Sequence, residues 1–529
     1  MFKNLNYNTY IYILVIVSIT AGIWNSQYIN DGYHWGFIYS NSIDLLNGKK
    51  IYAEIFLEYG LLQVLINFII IKYINVSVFS IQVYTIIIYS ASFFFIFKIL
   101  KFIIHDEKIS FYCILMLFII NPWAISPWPI YHSFFFSVLF IYFFINNCKF
   151  SSYISGFFLF CAYLTYTTLY NFVIISFLIA FIIFILINKL YIKKKHDLKF
   201  FKIFSTFLIL LLIFFIFLFL NDIFFDWIEY QKIPFIVKNS FNLGFVDLII
   251  DYSKFIFIRP VFNLVYEPQW IFYSILFTSN IILFIIYLKK IFYEKQFNKR
   301  DYNNFIIILF VFSLNFVALV KTFTYFSCSL SLSIISFAYL FKKILKEDDK
   351  LIVSFVLCFI VIFSLFNFNM KFSKFAEDRF HSVKYLKNLN KESRSNIKYF
   401  KHFKWHVNYW NFLNEQNNLI SKIKKNCNKI NGINLTDDSY LYLLIGKNSF
   451  QKIPFYLDTS LYKLNYIFDK DLKKRVQDKI DRNFIYIITH KNNDKDFKLS
   501  NDYLVKKIYR TSNKTIKEEF RVIYPKSCS

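Results

Sequence analysis

The chain has 529 residues, 57% of them hydrophobic and 23% aromatic, with 72 Phe set against only 9 Gly. A soluble protein cannot bury or display that much apolar surface, so composition alone excludes the soluble classes and indicates a membrane protein. The formal net charge of +27 is dispersed in short clusters between apolar runs and through the last third, a pattern of membrane topology that speaks against nucleic acid as a partner.

A membrane span needs about 20 apolar residues, fewer where aromatic and lysine side chains snorkel at its ends. Apolar runs predict spans near 9–27, 76–97, 109–122, 133–147, 153–167, 169–188, 203–220, 270–288, 304–320, 325–341 and 351–367. The first is too long for a signal peptide and lacks a small-residue cleavage site, so it reads as a retained anchor. The run 61–75, broken by Lys72 and Asn75, reads as a surface-lying or half-inserted helix, with a further span as the alternative. Basic loops (Lys98, Lys101, Lys108; Lys189 and Lys193 to Lys195; Lys289, Lys290, Arg300; Lys342, Lys343, Lys346) alternate with acidic or uncharged ones (28–60, 121–132, 221–268). Because basic loops stay cytoplasmic, the N-terminus is predicted inside and everything beyond 370 outside, which requires an odd number of spans, about eleven.

Directly behind the first apolar run, the stretch 30–63 is neither a span nor an ordinary polar loop. Asn30 and Asp31 are helix-starting residues. Trp35, Ile38, Tyr39, Leu45 and Leu46 then recur at helical spacing, with His34, Asn41 and Asp44 on the other side and Gly48 as the stop. This predicts a short helix along the membrane surface, its acidic N-terminal end in water-filled space. The segment 121–132, NPWAISPWPIYH, reads as a rigid interfacial loop or a plain structural turn. The loop 221–268 brings Asp222, Asp226 and Glu229, then Arg259 and Glu267, and is expected to pack beside the first loop.

Past Met370 the composition turns to Lys, Asn, Asp and Tyr. Segments 439–446, 484–489 and 520–524 read as strands, and about 376–389, 408–425 and 468–481 as helices. The predicted architecture is therefore an α-helical polytopic membrane domain over 1–370, with surface helices in its first external loop, followed by a small extracytoplasmic α/β domain over 371–529, large enough to bury its own core. Of the seven Cys, Cys113, Cys161 and Cys358 lie in apolar runs and read as core residues. Cys427 and Cys528 share the outer domain, where an oxidising compartment would let them pair, although sequence does not give their separation.

The first loop also carries a likeness. An acid after the first span (Asp31), a surface helix ending in Leu45-Leu46-Asn47-Gly48-Lys49 with Tyr52, and then Phe56 through Gly60 before a renewed apolar run together resemble the first external loop of the glycosyltransferase C superfamily, in its aminoarabinose- and mannosyltransferase-like branch. The likeness is specific over this loop and extends as layout over about the first 370 residues. It implies an inner-membrane enzyme that moves a sugar, with inversion, from a polyprenyl-phosphate donor to a glycan or lipid-linked acceptor on the periplasmic side. Many members have a Pro-Pro pair where this chain has Tyr59-Gly60, and several have Thr-Lys where it reads Thr165-Tyr166.

Such transfer needs a base for the acceptor's proton, a cation for the leaving phosphate and a groove for the lipid. The likeness makes Asp31 the base; the competing structural reading is that Asp31 only caps the helix. His34, at i+3, would assist it or share a divalent cation, though two ligands do not define a metal site. Glu58 and Tyr59 would line the rim, Tyr59 serving equally as an interfacial anchor. For the phosphate, Lys321 stands where relatives tend to carry Arg and keeps the charge without bidentate geometry; Arg259 is the alternative. Each cation has a bland counterpart, a snorkelling helix-end lysine for Lys321 and a salt bridge to Asp251 or Glu267 for Arg259. Two other readings stay open: a non-catalytic flippase or transporter of lipid-linked saccharides, and a glycan polymerase or ligase. The first would want charges buried within spans, which these runs nearly lack.

Overall fold

In the computed structural model the described residues are 6–27, 34–57, 59–120, 127–146, 148–191, 198–232, 250, 254, 269–291, 299–321, 328–344, 354, 358, 392–394, 397–449, 452, 472–490, 497–513 and 516–529. The molecule is mostly helical, with a small sheet near its C-terminal end. The predicted apolar runs form α1 (Tyr7–Ser26), α4 (Val78–Ile104), α5 (Glu107–Ile120), α6 (Pro129–Ile145), α7 (Ser151–Thr165), α8 (Thr167–Tyr191), α9 (Leu198–Leu220), α11 (Gln269–Lys289), α12 (Lys299–Lys321) and α13 (Ile334–Ile344), the last entered through a 3₁₀ turn at Ser331–Ser333. Between them lie α2 (His34–Leu46), α3 (Leu61–Tyr73) and α10 (Phe224–Gln231). Among the described residues four helices are long and apolar enough to cross a membrane: Tyr7–Trp24, Val78–Ile104, Lys199–Leu220 and Ile271–Lys289. The predicted run 351–367 and helix 376–389 lie almost wholly outside the described residues.

The bundle has two unlike ends. At one, Lys98 of α4 donates to Asn8 at the start of α1 (2.8 Å), Lys101 pairs with Glu107 of α5, Lys342 of α13 donates to Ile104 O (3.0 Å), and Lys199 of α9 donates to Asn146 O beyond α6 (3.1 Å). Helices α4 and α6 run side by side in the same direction, as the ring pairs Tyr84–His132 and Phe95–Tyr142 show. The opposite end carries α2, the segment 49–57 and the C-terminal region. There Lys404 N donates to Gln27 O just past α1 (2.8 Å), and Ser77 Oγ, at the start of α4, donates to Tyr399 O (3.3 Å).

The C-terminal region is a three-layer α/β unit. Strands β3 (Asn431–Leu435), β4 (Ile485–His490), β5 (Tyr503–Asn513) and β6 (Ile516–Pro525) form a sheet of order β3-β4-β6-β5, with β3 and β4 parallel and the remaining pairs antiparallel. Two shorter strands, β1 (Glu392–Arg394) and β2 (Lys404–His406), pair separately. The sheet is covered on both sides, so β4 is apolar throughout and not alternating: Ile485 and Ile487 face the helix α16 (Leu472–Asp481), while Tyr486 and Ile488 join the core built with α14 (Val407–Asn426). Cys427, behind α14, and Cys528, behind β6, are joined in a disulfide.

Several expectations are corrected. Residues 439–445, expected as a strand, form the helix α15 (Ser439–Ile445). Asp438 caps it by accepting from Tyr440 N (3.1 Å), Gly446 with φ +67 closes it, and every residue of it is buried, so no alternation existed to read. Pro129 to His132 are the first turn of α6 and not loop; Pro occupies the helix start, where no N–H is needed, and His132 is fully buried with Nδ1 3.2 Å from Trp128 O. Cys113 and Cys161 are buried as expected, whereas Cys358 is exposed.

Candidate functional site

The first-loop helix α2 starts at His34 and ends before Gly48, whose φ of +84 is the left-handed backbone that glycine takes without strain. Its polar side, however, does not face water. Asn41 is buried and donates to Phe56 O (2.7 Å), and Asp44 is 1% exposed. The reason is a second partner. Phe37 and Ile38 pack into the bundle core, while Trp35, Tyr39 and Ile43 pack into the core of the C-terminal unit, so α2 is held between the two. With apolar residues packed on two sides and its polar residues buried as well, α2 is a buried helix, not a surface-lying one.

Asp44, Lys49 and Tyr442 close a ring. Lys49 Nζ lies 2.8 Å from Asp44 Oδ1, the Tyr442 hydroxyl of α15 donates to Asp44 Oδ2 (2.7 Å), and Lys49 Nζ donates to the same hydroxyl (2.8 Å). Burial pushes the Asp44 carboxyl above its usual range, and the Lys49 and Tyr442 contacts oppose that rise.

Beneath α2 the segment that follows it lies on the end of the bundle. Tyr59 O accepts from Thr167 N (2.8 Å), and the Tyr59 ring meets Tyr166 edge-on (5.4 Å between centroids) and Phe37 likewise (6.1 Å). Gly60 is extended, so it carries no backbone strain. A Cβ there would nonetheless lie 2.6 Å from both the carbonyl carbon and the oxygen of Thr165, and nearer still to Leu164 O. Room, not φ, demands glycine at this position. Tyr59-Gly60 and Thr165-Tyr166 thus touch.

The loop 221–268 does pack beside the first loop through its described part. The Tyr230 hydroxyl of α10 donates to Tyr52 O and to Ile55 O (3.1 Å each), and its ring contacts Tyr52 and Phe56. Lys452 from the C-terminal unit sets its ammonium 5.0 Å from the Tyr230 ring centroid. Burial lowers the Lys452 pKa to about 8, with Asp226 opposing.

Of the residues expected at the site, Asp31, Glu58 and Arg259 lie outside the described residues. His34 is placed as the first residue of α2 and Lys321 as the last of α12, their side chains undescribed. Tyr59 alone is placed in full, half-buried against the bundle core. Among the described residues no group of three His, Cys, Asp or Glu side chains is arranged to hold a metal ion.

Sequence reasoning missed Tyr442, Tyr230 and Lys452, whose partners are remote in the chain, and the role of Lys49, whose ion-pair partner Asp44 is five residues away but whose hydroxyl partner Tyr442 is not. It also missed a charged cluster at the C-terminal ends of β3 and β4. There Arg510 contacts Asp438 (3.1 Å) and Glu518 (2.7 Å), His490 Nε2 lies 2.9 Å from Asp437, and Tyr409 donates to Asp438 (2.8 Å). Burial raises the Asp438 carboxyl against the opposing Arg510 charge, whereas for Asp437 the His490 bond and Arg510 outweigh burial and lower it.

Comparison with protein-family models and with curated proteins finds no match to this chain.

Proposed function

We propose that this chain is a membrane glycosyltransferase that moves a sugar from a polyprenyl-phosphate donor to a glycan or lipid-linked acceptor at the end of the bundle that carries the C-terminal unit. The observation that carries this reading is the contact of Tyr59-Gly60 with the Thr165-Tyr166 corner directly beneath α2. It seats the end of the first loop, the stretch that carries the likeness, on the corner where several members have Thr-Lys, next to the helix that follows Asp31.

In this reading Asp31, three residues ahead of α2, takes the proton of an acceptor hydroxyl as that oxygen attacks the anomeric carbon. The new C–O bond forms on the face opposite the phosphate, the old C–O bond breaks, and the polyprenyl phosphate leaves with the electron pair. The positive end of the α2 dipole favours the ionised acid. Lys321, or Arg259, neutralises the leaving phosphate, and His34 assists Asp31 or shares a divalent cation with it. About eleven spans, a cytoplasmic N-terminus and a periplasmic C-terminal domain over 371–529 complete the proposal. The lysines gathered at the far end of the bundle and the Cys427–Cys528 disulfide at the near end support that orientation.

The test is Asp31→Asn in cells lacking the native gene, with envelope glycans released by acid and weighed by mass spectrometry. The expected outcome is loss of one hexose or pentose increment at unchanged protein level. Glycans identical to those restored by the wild-type gene would remove Asp31 as the base.

A further inference from the structure

The geometry points to Tyr442 as a positioning residue for Asp31, the proposed base, acting through a latch in which the C-terminal unit grips α2. This inference rests on the glycosyltransferase reading and adds a part to it: the C-terminal unit belongs to the catalytic machinery rather than being an appendage.

Three observations carry it. The Asp44–Lys49–Tyr442 ring joins residues nearly four hundred positions apart, with Asp44 and Tyr442 at 1% and 2% exposure and the Lys49 ammonium 5.4 Å from the Tyr442 ring centroid. Asp44 and Tyr442 are removed from water while the Lys49 side chain stays 16% exposed, and the two buried groups hold their geometry because any other arrangement leaves one of them unpaired. Second, α2 and α15 meet without a gap: a Cβ on Gly36 would lie 2.7 Å from Ser439 Cβ and 2.8 Å from Tyr440 N. Third, Trp35, Tyr39 and Ile43 sit in one core with Tyr440, Leu441 and Leu444.

The consequence is one of leverage. Helix α2 has 13 residues, so it is a rod of about 20 Å at 1.5 Å per residue. The ring pins its C-terminal end, and His34 opens the other. Trp35 and Gly36 are packed against the C-terminal unit near the other end, so loss of the ring loosens the rod rather than freeing it, and a tilt of about 3° at the pin already displaces the far end by about 1 Å. A displacement of about 1 Å at reacting atoms is enough to cost on the order of a hundredfold in rate. Lys49, part of the Leu-Leu-Asn-Gly-Lys signature, is accordingly a latch residue and not a ligand of substrate.

The experiment uses the full chain in lipid nanodiscs. Tyr442→Phe removes the bridging hydroxyl and keeps the ring packing; Lys49→Met breaks the same ring from the other side and serves should the first variant fold poorly. Two readouts are taken: hydrogen exchange of the amides of residues 34–46, and transfer kinetics with a radiolabelled polyprenyl-phosphate hexose as donor. Expected are exchange at least tenfold faster in 34–46, a tenfold or greater loss of kcat and a donor KM within twofold of wild type, in both variants. Unchanged exchange overturns the latch whatever the activity. Faster exchange with unchanged kcat overturns the positioning role and leaves the glycosyltransferase reading intact. If the wild type transfers no sugar, that reading falls and the positioning role with it, and the exchange arm marks this as a different failure from a missing latch.

Discussion

Gly60→Ala probes the contact on which the functional reading stands. The added methyl would meet backbone atoms of Leu164 and Thr165, which cannot swing aside as a side chain can, so the first loop must lift from the end of α7. Overpacking of this kind costs about 1–3 kcal/mol. Lifting also lengthens the Thr167 N to Tyr59 O bond, worth about 1 kcal/mol, and Ala is the poorer residue ahead of a helix by about 0.5 kcal/mol. Against this, the unfolded chain loses freedom, returning about 0.4–1 kcal/mol. The net expectation is a destabilisation of about 2–3 kcal/mol. The control is Gly48→Ala, where nothing stands within 4 Å and only the φ of +84 is strained, for about 1–2 kcal/mol. Thermal unfolding of the full chain in detergent, with exchange of the Thr167 amide, separates the two. Gly60→Ala should lower the midpoint more than Gly48→Ala and deprotect Thr167; a smaller shift with Thr167 still protected would refute the steric argument.

Two further outcomes follow from the C-terminal unit. Cys427 and Cys528 are 101 residues apart in sequence, so Cys528→Ser should cost that unit about 4–5 kcal/mol, read as a lower urea midpoint of the tryptophan fluorescence; a midpoint insensitive both to the substitution and to reductant would contradict a structural bridge. Lys424 donates to Leu444 O (2.8 Å) and Ile445 O (2.7 Å) at the end of α15, and burial lowers its pKa from 10.5 to about 8. Because the folded state sheds this proton before the unfolded chain does, the cost of the buried charge is complete below pH 8 and fades as pH rises from 8 to 10.5. Wild type should therefore gain more in urea midpoint than Lys424→Met between pH 8 and pH 10, and equal gains would show that the lysine is not buried as charged.

What was legible in the sequence depended on whether a signal was local. Helices α1, α4 and α9 follow from uninterrupted apolar runs, α14 from its amphipathic period, and the end of α2 from Gly48. The helix α15 was not legible from SYLYLLI, since seven residues buried on every side show neither period. Its ends were signalled all the same, by Asp438 as cap and Gly446 as stop. Asp44 was read as facing water because helical period sorts residues into faces without saying what covers each face. Tyr442 and Lys452 could not be found at all, because their roles exist only once the C-terminal unit folds back over the first loop.

One signal for that return was nonetheless in plain view. A helix lying on a membrane needs a charged face opposite its apolar one, yet α2 has Trp35, Phe37, Ile38, Tyr39 and Ile43 on both sides and a single acid, Asp44. With Phe37 and Ile38 spent on the bundle, Trp35, Tyr39 and Ile43 required a further apolar partner, and the lone carboxylate among them required a cation and a donor. Lys49 was close enough in sequence to be the cation. The donor had to come from elsewhere in the chain, and a hydroxyl on an apolar helix such as α15 fits beside a carboxylate without bringing a second charge into the interface. The buried acid of the first loop therefore specifies much of the chemistry of the surface that covers it.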